Sequence, residues 1–171
     1  LIVTGKEHSL LKPKNERICR FCGNRYPDVR FKNKAHLIPQ LLGNDNLLSD
    51  FECDTCNKIF GHFENDFANF IGLSRTLTMM SGKEGIPKFK SPDMKFTTWV
   101  DEEGGIRYSE SENERNVTFD RENNEIIIKA NSLSYSSLLV YKCLVKIALS
   151  LLNDSDILDY KSSMGFLKDD S

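Results

Sequence analysis

Apolar positions recur at helical spacing in two stretches of the chain and alternate in several others. Phe60, Phe63, Phe67, Phe70 and Ile71 fall on one helical face. This helix opens within 53–57, and Gly72 is its predicted stop. Residues 133–152 are apolar almost throughout, with a narrow polar stripe of Lys142, Lys146 and Ser150. Two lysines argue against a membrane span, so this second helix is expected on the hairpins or at a subunit interface.

Short alternating runs predict strands. Residues 94–100 and 106–110 flank Gly104-Gly105 as one hairpin, and 116–120 and 125–130 flank a second turn at 121–124. Residues 29–38 (VRFKNKAHLI) predict a third, short hairpin turning near Lys32-Asn33, with Pro39 limiting its continuation. The Phe stripe is expected to lie against that hairpin. Residues 40–52 and 73–92 read as loops, and 1–17 as a polar, basic entry arm or short helix around Leu10-Leu11. The character of the chain changes after residue 72. This divides it into a domain over 1–72 and an accessory, dimerisation or targeting module over 73–171.

A chain of 171 residues with eleven Phe suits one domain, or one domain plus a module, with a real core. No apolar run is long enough for a bilayer, and no leader is visible. The chain begins at Leu1, so it reads as a piece of a longer protein, with room for a targeting domain outside it. Net charge is near zero, yet Lys6, Lys12, Lys14, Arg17, Arg20, Arg25, Arg30, Lys32 and Lys34 face only Glu7, Glu16 and Asp28 in the first 36 residues. Such a basic face suits phosphate binding, and an ordinary solvated surface is its plain alternative.

Cysteines carry the strongest local signal. Cys19-x-x-Cys22 lies in ICRFCGNR, with Gly23 just past the second thiol, and Cys53-x-x-Cys56 opens the Phe helix. Four cysteines in two such turns predict one closed, structural Zn2+ site. Redox use is disfavoured, because neither pair begins a helix in a βαβ setting. Cys143, inside the apolar helix, reads as a small core residue. Paired knuckles without a leader favour metal over disulfides, and a cytoplasmic location is expected. Asp54, within the second knuckle, is expected to cap the helix start.

Between and after the knuckles stand Ala35-His36-Leu37-Ile38-Pro39, a 43–46 loop, and Cys56-Asn57-x-x-Phe60-Gly61. The succession over 18–70 resembles the zinc-knuckle, ββα-metal branch of the HNH endonuclease family. The resemblance implies an α+β, treble-clef-like ββα-metal core clasped by a four-cysteine zinc, followed here by the β-hairpins and the apolar C-terminal helix. It implies a metal-dependent DNA endonuclease in which His36 is the general base. Asn57 would be a ligand of a catalytic Mg2+ or Mn2+, and Asn44 or Asn46 the loop-holding asparagine. Many members carry an acidic residue or histidine where this chain has Ala35. Helical spacing puts Asn57, Gly61 and Glu64 on one face, which makes Glu64 a candidate oxygen ligand beside its reading as a solvated carboxylate. Arg30, Lys32 and Lys34 are the candidate DNA contacts. Double-stranded DNA is the implied partner, without a membrane. A homodimer would set two nicking sites on opposite strands. Bacterial restriction or anti-phage defence is the implied setting. A non-catalytic, zinc-clasped nucleic-acid-binding module is the alternative.

Overall fold

The computed structural model describes residues 11–169. Most of the expected entry arm, Lys6 and Glu7 included, lies outside the described residues; Lys14–Glu16 form a 3-10 turn. The first strands are β1 (Ala35–His36) and β2 (Leu48–Ser49), paired antiparallel with His36 opposite Leu48. Helix α1 (Asp54–Phe70) follows, so a ββα unit stands where the resemblance puts it.

The 29–38 hairpin does not form. Its first half is held by the head of α1 instead: the Asp54 carboxylate accepts from the Lys32 and Asn33 amides at 3.1 and 2.9 Å, and the Asp54 amide donates to Arg30 O at 2.8 Å. Asp54 therefore anchors a neighbouring loop rather than capping its own helix, whose N-cap is Cys53. The partner of β1 comes from 40–52, which was expected to be a loop throughout.

Gly72 does not stop the helical path. It begins a short α2 (Gly72–Leu77), and a Cβ on Gly72 would meet the Phe89 ring at 3.4 Å. Close packing, not a left-handed turn, is the use of this glycine. The expected 73–92 loop thus holds α2 and also β3 (Phe89–Lys90). β3 edges a three-stranded sheet with β4 (Phe96–Val100) and β5 (Ile106–Glu110), and β6 (Val117–Asp120) pairs with β7 (Glu125–Ile128). Both predicted hairpins form, β4 with β5 and β6 with β7, each antiparallel. Phe89, Phe96 and Val117 form their own small core.

Helix α3 (Ser137–Leu151) packs on α1, not on the hairpins. Phe60, Phe63 and Phe67 are buried between them, contributing about 2–3 kcal/mol each. Phe70 is half exposed and meets Tyr135 edge-on. The polar stripe of α3 turns inward: Lys142, Lys146 and Ser150 are buried, while Tyr141 and Leu144 are exposed. Hydropathy puts lysines outside, but here partners meet them. Lys142 donates to Asp169 O, and Lys146 reaches Glu52 and His36. Cys143 is buried in the core as expected. One apolar cluster therefore runs from the knuckles through α1 and α3 to Leu167 in the segment after α4 (Lys161–Phe166).

Arg20, inside the first knuckle, ties that knuckle to the end of α3. Its guanidinium donates to Leu149 O and Leu152 O at 2.9 Å each, pairs with Asp154 at 2.7 Å, and lies 3.7 Å from the centre of the Phe51 ring. The last carbonyls of a helix lack internal partners and carry the negative end of its dipole. Asp154 is well exposed, so the two carbonyl bonds matter more than the ion pair. Arg20→Ala is expected to lower stability by about 2–4 kcal/mol, read from urea unfolding of zinc-loaded protein. A change below about 0.5 kcal/mol would assign the contact no structural weight.

Candidate active site

The four thiols converge. Their sulfurs lie within 4.8 Å of one another, with Cys19 to Cys56 at 3.7 Å and Cys22 to Cys53 at 3.8 Å. A tetrahedral ion with Zn–S bonds of about 2.3 Å requires sulfurs about 3.8 Å apart, so the donor set fits zinc. Local backbone makes the cradle: Cys19 N donates to Asn24 O, and Gly23 N to Cys19 O, through a turn in which Gly23 has φ +77°. Arg20 N donates to Phe51 O at 2.8 Å and brings the knuckles together. Phe21 meets Phe60 edge-on at 4.7 Å, seating the clasp on α1. The crowding splits the thiol acidities. The Cys56 contact, first, holds Cys19 down to about 4, and the same contact pushes Cys56 up. Thiols this close cannot all ionise without a cation between them, and a divalent ion removes that conflict.

His36 ends β1 and is half-buried. No hydrogen bond from the described residues reaches its ring. Burial first, then the Lys146 charge, lower its pKa from the ordinary 6.5; Lys34 acts in the same sense and Asp45 opposes. The loop after it is held by Asn44. The Asn44 amide donates to Ile38 O and Leu47 O at 2.5 and 3.2 Å, and its oxygen accepts from the Asn46 and Leu47 amides. Asn44 is thus the loop-holding side chain, and Asn46 contributes only its backbone.

Asn57 sits one turn into α1, partly exposed, with Nδ2 donating to Glu52 Oε1 at 2.8 Å. Glu52 Oε2 lies 3.1 Å from Lys146 Nζ, and that nitrogen donates to His36 O at 2.8 Å. A buried charge pair between Lys146 of α3 and Glu52, just before α1, thereby connects the His36 strand to the Asn57 helix. Burial, the largest effect, raises the Glu52 pKa, and Lys146 opposes it.

Residues 19–69 match the family model described as HNH endonuclease. That stretch, under a third of the chain, is similar to the HNH endonuclease family. No curated protein and no solved structure matches the chain.

Glu64, within the HNH-like stretch, lies about 10 Å beyond Asn57 along the helix axis (~1.5 Å per residue). It is partly buried, its pKa is raised by burial first, and its charge acts on Cys143 of α3. Among the described residues the four-cysteine set is the one group of three or more His, Cys, Asp or Glu that could hold a metal, so Glu64 and His36 are not assembled into a second such group. Gly61 leaves open space: a Cβ there would meet nothing within 4 Å. Ala35 is buried at 1% exposure, so its side chain points into the fold.

Arg30, Lys32 and Lys34 are exposed beside two adjoining grooves. One is lined by Lys14, Arg17, Lys32, Lys34 and the β2 residues Leu48 and Ser49, the other by Lys14, Tyr26, Arg30 and Lys32. No acidic side chain lines either. Sequence reasoning counted Lys14 and Arg17 as part of a basic arm without placing them here. It missed Glu52 and the connection through Lys146. A lone pair of lysines on an apolar helix was the available signal for the second; nothing marked the first.

Proposed function

We propose that the HNH domain hydrolyses phosphodiester bonds in double-stranded DNA. What carries this reading is that His36, with an uncommitted ring, and Asn57 are joined by one zinc-clasped ββα unit bridged by Lys146 and Glu52. Asn57 could present a ligand oxygen: its NH2 end is engaged, and no hydrogen bond from the described residues reaches Oδ1. A Mg2+ or Mn2+ ion bound there would stabilise charge on the leaving 3′ oxygen. The chain's own residues supply the rest. His36 accepts the proton of the attacking water, for which its imidazole must be neutral. The grooves beside β2, with Lys14, Arg17, Arg30, Lys32 and Lys34, grip the phosphate backbone and read little sequence. Restriction or anti-phage defence belongs to this reading on family resemblance alone.

The alternative is a non-catalytic nucleic-acid-binding module. The observation in its favour is Ala35, buried and without a ligand atom where many members carry one.

A rate profile of DNA cleavage between about pH 5 and 8 separates the two readings. His36 has its pKa lowered, so the imidazole stays neutral to more acid pH than a free histidine. The acid limb is expected below 6.5. The same sign makes the His36 contribution to stability fall as pH drops below 6.5. A limb at or above 6.5 would contradict the assigned environment. DNA retained in gel shifts with no cleavage under any divalent ion would establish the alternative.

A further inference from the structure

The Lys146–Glu52 pair is almost wholly removed from water, with side-chain exposures of 1% and 0%. A buried ion pair is poor evidence for stability, because desolvating both charges offsets their attraction. Its connections indicate a different use. Glu52 Oε1 binds Asn57 Nδ2, while Oε2 faces Lys146 and has no hydrogen-bond partner. Lys146 Nζ turns its own hydrogen bond to His36 O.

We propose that Glu52 and Lys146 are positioning residues for the nuclease site: Glu52 sets the rotation of the Asn57 amide so that Oδ1 faces a cation, and Lys146 holds the His36 backbone in register with it. This rests on the reading above, in which His36 and Asn57 act together. The reason is chemical. An ionised carboxylate only accepts hydrogen bonds, so it can bind only the NH2 end of Asn57. The amide oxygen, the ligand atom, is then turned the other way. A glutamine at position 52 could bind either end and would lose that selection. Carboxylates behind metal ligands act in this manner. Lys146 Nζ stands 3.1 Å from Glu52 Oε2 and places a cationic partner behind that carboxylate in an apolar setting. It stands on α3, 110 residues from His36. This gives the C-terminal helix a part in the site without touching substrate.

The test uses zinc-loaded wild type, Glu52→Gln, Lys146→Met and the double variant. Mn2+ binding is read from the electron paramagnetic resonance of free Mn2+, beside kcat and KM for plasmid DNA. Glu52→Gln is expected to weaken Mn2+ binding by about 10-fold or more and to lower cleavage at fixed Mn2+, with KM for DNA changed less than about twofold. Lys146→Met should move both readouts the same way, and the double variant should be no worse than the poorer single one, because the two residues act as a unit. Folded variants with wild-type Mn2+ binding and kcat would overturn the proposal, as would a raised KM with unchanged Mn2+ binding. If no variant folds with its zinc, the pair is structural and the proposal also fails. A wild type that binds Mn2+ and cleaves beside an indifferent Glu52→Gln removes only the positioning role; a wild type that does neither removes the nuclease reading with it.

Discussion

Removing zinc should unfold the zinc-clasped ββα domain outright. Cys19 and Cys53 are fully buried and Cys56 is nearly so, at the point where the first knuckle, the head of α1 and the Phe21–Phe60 contact meet. β1 and β2 are only two residues each, so strand pairing cannot hold the ββα unit by itself. A structural zinc site of this kind contributes about 10–16 kcal/mol at neutral pH, as large as the whole stability of a typical domain at about 5–15 kcal/mol. A strong chelator, or Cys56→Ser, is therefore expected to abolish cooperative unfolding of the domain. Circular dichroism with metal analysis checks this, and about one zinc per chain is expected in the folded protein. Cys143→Ala should keep its zinc, since that thiol lies in the core apart from the clasp. A chelated, zinc-free protein with an unchanged melting curve would contradict the clasp.

His36→Ala should lower DNA cleavage by about 100- to 10,000-fold, the usual worth of a general base. The loss should be of function and not of fold. The ring makes no hydrogen bond to the described residues. What fixes this segment is backbone: Leu37 N donates to Leu47 O at 3.0 Å, and His36 O accepts from Lys146. Stability is expected to change by less than about 1 kcal/mol. Single-turnover rates beside urea unfolding separate the two effects. Cleavage at the wild-type rate would remove His36 from the chemistry, and a large loss of stability would assign it to packing.

Local signals carried a long way in this chain. The thiol spacings marked a metal cradle, and the structure gathers the four sulfurs within 4.8 Å of one another. Phe60, Phe63 and Phe67 marked the buried face of α1, and alternation marked β4 to β7 and their pairing as two hairpins. What periodicity could not reveal was tertiary choice. β1 takes its partner from 48–49 because Asp54 holds the 32–33 amides and leaves 29–34 unavailable for pairing. The lysines of α3 face inward because Glu52, His36 O and Asp169 O receive them, and no composition rule anticipates a buried charge meeting such partners. His36 and Asn57 could be named from the family pattern. The link between them depends on residues 52 and 146, which lie far apart in the chain and belong to no motif.

On the proposed reading two metals would have separate parts, a zinc that holds the fold and an exchangeable ion that serves the chemistry. The most direct measurement is nicking of supercoiled plasmid by zinc-loaded protein freed of all other divalent ions, with and without added Mg2+ or Mn2+. Nicking that appears only on addition of the ion, with bound zinc unchanged throughout, is the predicted result. No nicking under any added ion, or nicking equally strong with zinc alone, would contradict it.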